Sequence, residues 1–148
     1  MDNYQRGRGL DILLVEDNPG DVRLTQEALR GVDVPHRLHV ARDGMEALAF
    51  LNREEGFREA PVPDLILLDL NLPRLGGREV LGNIKTSPEF RHIPVVVVTT
   101  SEAAHDVMGA YSGMANCYVS KPMDLDRFMH VVQNVVGFFS SVASLPVH

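Results

Sequence analysis

Short apolar runs alternate with longer segments of helical period along this chain. Asp11-Ile12-Leu13-Leu14-Val15 reads as a buried strand, and Asn18 and Pro19 then supply an N-cap and a first-turn proline for a helix through Arg30. His36 to Val40 alternates apolar and polar residues, as expected of a second strand nearer a sheet edge. Asp43 opens a second helix, with Ala47, Leu48 and Leu51 on one face, and the charged stretch Asn52 to Pro63 reads as a surface loop. Leu65-Ile66-Leu67-Leu68 is apolar at every position, which predicts a strand covered on both faces.

A helix from Gly77 to Thr86 follows, with Val80, Leu81 and Ile84 inward and Ser87-Pro88 as its stop. Val95-Val96-Val97-Val98 is the strongest strand signal in the chain. A helix near Ala103 to Ser112, a short strand at Cys117 to Val119 and a long helix from about Met123 complete it. The expected fold is therefore α/β: a five-stranded parallel sheet flanked by five helices, since each parallel connection needs a crossover. Residues 11–137 form the expected domain, between tails at 1–10 and 138–148, the latter a candidate dimer contact.

Composition narrows the function. The 148 residues suit one domain, and 45% hydrophobic content suits a globular chain. Acids exceed bases by 20 to 14, for a net charge of -6, which argues against a nucleic-acid binder. The single cysteine, Cys117, sits in an apolar run and is expected to be buried and reduced. No apolar run has membrane-spanning length and the polar N-terminus lacks a secretory signal, so no membrane partner and a cytoplasmic location are expected. The six histidines show no metal-ligand spacing.

Parallel sheets bind ligands at the carboxyl ends of their strands. Glu16 and Asp17 end the first strand, Asp69 the third and Thr99 the fourth, while Lys121 lies just past the fifth. Three carboxylates gathered there repel one another unless a cation joins them, and Mg²⁺ takes carboxylate oxygens while keeping waters. The carbonyl of Asn71 could add a further ligand. Asp69 can then act as a nucleophile toward phosphorus, with Lys121 and Thr99 meeting the phosphoryl oxygens. Each feature has a plainer explanation on its own: Asp17-Asn18-Pro19 as a helix cap, Asp69 as a turn residue, Thr99 as a strand end, Lys121-Pro122 as a solvated loop. It is their joint fall at strand ends that favours the chemical one.

These segments resemble the receiver domains of two-component signalling, over about residues 11 to 136. ILLVEDNPGD resembles the family's first strand and acidic pair. LILLDLNLP resembles the strand bearing the phosphorylated Asp, here Asp69, with Pro73 after it. VVVVTTS carries the switch residue Thr99, and CYVSKP carries Tyr118 and Lys121-Pro122. The resemblance implies a flavodoxin-like fold and a phosphate-accepting switch, not an enzyme beyond its own phosphorylation and dephosphorylation. It implies Mg²⁺ bound by Asp17, Asp69 and the Asn71 carbonyl, with Glu16 acting through water, and a Lys121-Pro122 peptide that is cis in many members. It also implies that Thr99 moves inward on phosphorylation and Tyr118 fills the vacated space, reshaping a face read by partners.

The segments LNREEGFREAPVP and NLPRLGGREVL further resemble stand-alone regulators paired with bacterial phytochrome histidine kinases. Two departures stand out. Gly76-Gly77 replaces the family's frequent Asp-Gly, which is expected to loosen the loop and alter the start of the helix without touching the chemistry. Met114-Ala115 replaces Gly-Ala, with Gly113 one place earlier.

Rival functions fit less well. A phosphatase of the haloacid-dehalogenase kind needs Asp-x-Asp, and the second position here is Asn71. A flavodoxin-like nucleotide carrier needs a Gly/Ser/Thr phosphate loop, where this chain has Glu16, Asp17 and Asp21. A receiver that is never phosphorylated is disfavoured by the full set of key residues. The last helix carries Leu125, Phe128, Met129, Val132, Val135 and Val136 at helical spacing for packing on the sheet. Val131, Phe138 and Phe139 lie outside that stripe, which predicts a homodimer through the last helix and its extension.

Overall fold

The computed structural model describes residues 9–33, 35–54, 56–70, 72, 76–99, 117–120 and 124–141. Among the described residues, five strands run in the order β2-β1-β3-β4-β5, every neighbouring pair parallel. They are β1 (Leu10–Val15), β2 (His36–Ala41), β3 (Leu65–Leu68), β4 (Val95–Thr99) and β5 (Cys117–Ser120). Four helices are described: α1 (Pro19–Leu29), α2 (Gly44–Leu51), α3 (Gly77–Thr86) and α4 (Leu125–Ser141). The helix expected near 103–112 lies outside the described residues. The parallel sheet is the one expected from the alternation of strands and helices, and its arrangement is the flavodoxin-like one that the resemblance implies.

The helix starts follow from local chemistry. The Asn18 side chain accepts from the Asp21 amide at 3.0 Å, and Pro19 in the first turn gives up an amide that would have no helical partner. The Asp43 carboxylate accepts from the Glu46 amide at 2.8 Å and starts α2 in the same way. At α3 the cap residue is Gly76, with no side chain to offer, and Glu79 reaches back to the Gly76 amide at 3.4 Å. Asp124 caps α4, accepting from Asp126 at 2.8 Å.

The sheet divides the core in two. Leu13, Val15, Ile66, Leu68, Val95 and Val97 face α2 and α3, against Ala47, Leu51, Val80, Leu81 and Ile84. The alternate residues Ile12, Leu14, Leu65, Leu67 and Val96 face α1 and α4, against Val22, Leu29, Phe128, Val132 and Val136. A central strand sandwiched this way needs apolar residues at every position, as β3 has. The half-exposed β2 lies at the sheet edge.

Two expectations are corrected. The stretch 52–63 is not simply a surface loop: Phe57, Ala60 and Val62 pack on the core, and the Phe57 ring meets Phe50 edge-on at 5.7 Å. Its apolar residues recur too irregularly to show in a periodicity. The last helix continues to Ser141, so residues 138–141 extend the helix instead of beginning a tail, because no proline or glycine after Gly137 interrupts it.

Candidate metal centre

The strand register sets the site. Val15, Ala41, Leu68, Val97 and Tyr118 lie on one row across the sheet. The next residues of β1 and β3 are Glu16 and Asp69, so they leave the sheet side by side. Both are pinned through the main chain: the Asp69 amide donates to the Val15 carbonyl at 3.1 Å, and the Glu16 amide donates to the Ala41 carbonyl at 2.9 Å. Asp17 follows in the loop before α1. Glu16 and Asp69 are buried, with 3% and 6% of their surface exposed, whereas Asp17 is exposed.

One carboxylate oxygen from each of Glu16, Asp17 and Asp69 lies within 4.8 Å of the other two. Glu16 also accepts from the Asn18 amide at 3.3 Å, which ties its head group to the start of α1. Three like charges at this range are mutually repulsive, and two are withheld from water. A hard divalent cation with oxygen ligands removes the repulsion, and the exposed side at Asp17 leaves room for its waters. The donor set is all oxygen, so it fits Mg²⁺ or Mn²⁺ and not a soft thiolate-seeking metal. Glu16 and Asp69 also line a small pocket together with Leu14, Thr25, Val98 and Phe128.

The structure thus brings together three of the four expected metal ligands. Asn71 and Lys121 lie outside the described residues, and so does the Lys121-Pro122 peptide. Thr99 closes β4 in register with Ser120, and Tyr118 pairs with Val97; the side chains of Thr99 and Tyr118 are not among those described. Sequence reasoning missed Thr25 and Phe128 as neighbours of the site. It also treated Gly76-Gly77 as loose, whereas Gly77 abuts the backbone after Asp69 and donates its amide to the Leu70 carbonyl at 3.3 Å. A glycine at the first position of a helix, beyond a residue already serving as cap, was the available signal.

Fold and acidic cluster together define a receiver, and the profile of the response regulator receiver domain family matches residues 12–133. The chain belongs to that family. Response regulator Rcp1 of a Synechocystis species is 45% identical over 135 residues, covering 91% of this chain and 92% of the relative. The crystal structure of the phosphorylated cyanobacterial phytochrome response regulator RcpA superposes with a TM-score of 0.90 at 47% identity, covering 94% of this chain and 99% of that one. The Mn²⁺-bound form of Rcp1 superposes with a TM-score of 0.88 at 44% identity, over 93% and 99% of the two chains. The chain is a response regulator of two-component signalling, of the Rcp1 and RcpA type.

Proposed function

We propose that Asp69 accepts the phosphoryl group from a sensor histidine kinase, with Mg²⁺ held by Glu16, Asp17, Asp69 and the Asn71 carbonyl. The observation that carries this is the convergence of three carboxylates within 4.8 Å at the carboxyl edge of the sheet. A carboxylate oxygen of Asp69 attacks the phosphorus of a phosphohistidine. The new O–P bond forms as the N–P bond breaks, and the imidazole leaves with the electron pair and takes a proton from solvent. A Mg²⁺ ion held by these carboxylates would offset charge on the phosphoryl oxygens. The Lys121 ammonium pairs with those oxygens and the Thr99 hydroxyl donates to one of them. Thr99 is thereby drawn inward and Tyr118, on the adjoining strand, takes the space.

The kinship with RcpA and Rcp1 supports a bacterial phytochrome as the kinase that feeds this chain. A kinase that draws its phosphoryl group from ATP places the reaction in the cytoplasm. Among the described residues no helix is long and apolar enough to cross a membrane. The homodimer is supported by α4, where Val131, outside the packing stripe, is only partly covered and Phe138 is 51% exposed. A monomer by sedimentation at high concentration, phosphorylated or not, removes the dimer from this reading.

Intact-mass measurement after incubation with acetyl phosphate tests the acceptor. The expected result is a phosphoryl adduct that requires Mg²⁺ and is lost in Asp69→Asn. A folded, metal-binding wild type that forms no adduct and binds no beryllofluoride overturns it.

A further inference from the structure

Gly77 opens α3 against the end of β3 with nothing between the two backbones. A methyl group on its α-carbon would overlap the Leu70 α-carbon and lie 2.5 Å from the Asp69 carbonyl oxygen and 3.0 Å from the Leu70 carbonyl carbon. Its neighbour differs: a methyl group on Gly76 would meet only Glu79 Oε1, at an ordinary 3.6 Å. The need for glycine at 77 is steric and not conformational, since the residue is already helical. Nor can α3 easily withdraw, because Val80, Leu81 and Ile84 below Gly77 are wholly buried against the sheet.

We propose that Gly77 is a positioning residue for Asp69: its bare α-carbon lets α3 press on the Asp69–Leu70 main chain and hold the Asp69 carboxylate beside Glu16 and Asp17. This rests on the reading of Asp69 as metal ligand and acceptor. With α3 anchored from below, a side chain at 77 displaces the Asp69–Leu70 segment. A misplacement of about 1 Å in a reacting group can cost roughly a hundredfold in rate.

The test compares Gly77→Ala, Gly76→Ala and Val80→Ala in the full chain. The readouts are Mg²⁺ affinity by titration calorimetry, adduct formation with acetyl phosphate, and thermal stability. Gly77→Ala is expected to lose roughly tenfold or more in both Mg²⁺ affinity and adduct rate. Val80→Ala, which opens a cavity under the same helix, is expected to melt earlier yet keep both within about twofold, and Gly76→Ala to keep all three. A folded Gly77→Ala with near-wild-type Mg²⁺ affinity and adduct rate overturns the proposal, as does equal loss in Val80→Ala. Should Gly77→Ala not fold, amide exchange in the wild type decides. Coupling is reciprocal, so beryllofluoride at Asp69 must slow exchange of the Gly77 amide, by roughly threefold or more, and unchanged exchange overturns the idea. A wild type that binds Mg²⁺ without forming an adduct defeats the acceptor reading alone, and the Mg²⁺ affinities still decide on Gly77. One that binds neither takes the proposal down with the reading.

Discussion

Arg37 grips the buried carboxylate of Asp11 through two parallel hydrogen bonds, from Nε at 2.9 Å and Nη2 at 3.1 Å. The pair sits at the amino end of the sheet, opposite the acidic cluster. Asp11 is fully buried, and His39 Nε2 lies 3.1 Å from the same carboxylate oxygen. The Asp11 amide donates to the Asp64 carboxylate at 2.9 Å, while the Asp64 amide donates to the Asp11 carbonyl at 2.7 Å. A carboxylate taken out of water needs such partners, and the planar guanidinium supplies two donors in one orientation.

Arg37→Met therefore leaves Asp11 with a weaker set of donors. Because the Arg37 side chain is itself 61% exposed, the loss is moderated by solvent. The expected cost is about 1–2 kcal/mol in urea unfolding, with phosphorylation kinetics of the folded protein unchanged. An unaltered unfolding midpoint would show that the pair adds nothing.

Asp17→Asn separates metal binding from charge repulsion. In chelator-treated buffer the variant should be slightly more stable than wild type, by about 0.5 kcal/mol, because one of three crowded charges is gone. With Mg²⁺ at a hundredfold excess over its dissociation constant, wild type should gain about 2.7 kcal/mol and the order should reverse. Parallel thermal melts with and without Mg²⁺ check this, and a variant that Mg²⁺ stabilises as much as wild type contradicts the ligand role of Asp17.

Phe128 anchors α4 beside the site. It is 5% exposed and lines the same pocket as Glu16 and Asp69. Phe128→Ala should cost about 3–4 kcal/mol by chemical denaturation, from lost burial plus the cavity left behind. A cost below about 1 kcal/mol would mean that α4 collapses to refill the space.

Lys85 gives a pH signature. Its ammonium donates to the carbonyls of Arg91 at 3.0 Å and Ile93 at 2.7 Å, bracing the turn between α3 and β4. Burial lowers its pKa below the ordinary 10.5. Between the lowered value and 10.5 the unfolded chain therefore binds more protons than the folded one, and stability rises with pH. Below that window the penalty of the buried charge is fully present. The stability of wild type relative to Lys85→Met should thus improve as pH climbs toward 10.5, read from urea midpoints across that range. A flat difference would mean that burial does not disfavour the charged form.

Much of the fold and site is legible in the sequence. The bounds Gly77–Thr86 and Leu65–Leu68 follow from apolar period and stop residues, and Asn18 and Asp43 announce helix starts because capping is a matter of three or four adjacent residues. The alternation of strand and helix is enough to demand a parallel sheet, and the sheet is enough to place Glu16, Asp17 and Asp69 at one edge.

What the sequence could not decide depends on register and on close approach between distant segments. Asp11 reads as one polar residue in an apolar strand until the pairing of β1 with β2 sets it opposite Arg37, 26 residues away. Gly77 reads as slack until the packing of α3 brings its α-carbon onto the Asp69–Leu70 backbone. Local propensity and period are short-range and additive along the chain, so residue types reveal them. Ion-pair partners and steric contacts arise only when the whole sheet fixes which residues meet, and that is information the tertiary structure alone holds.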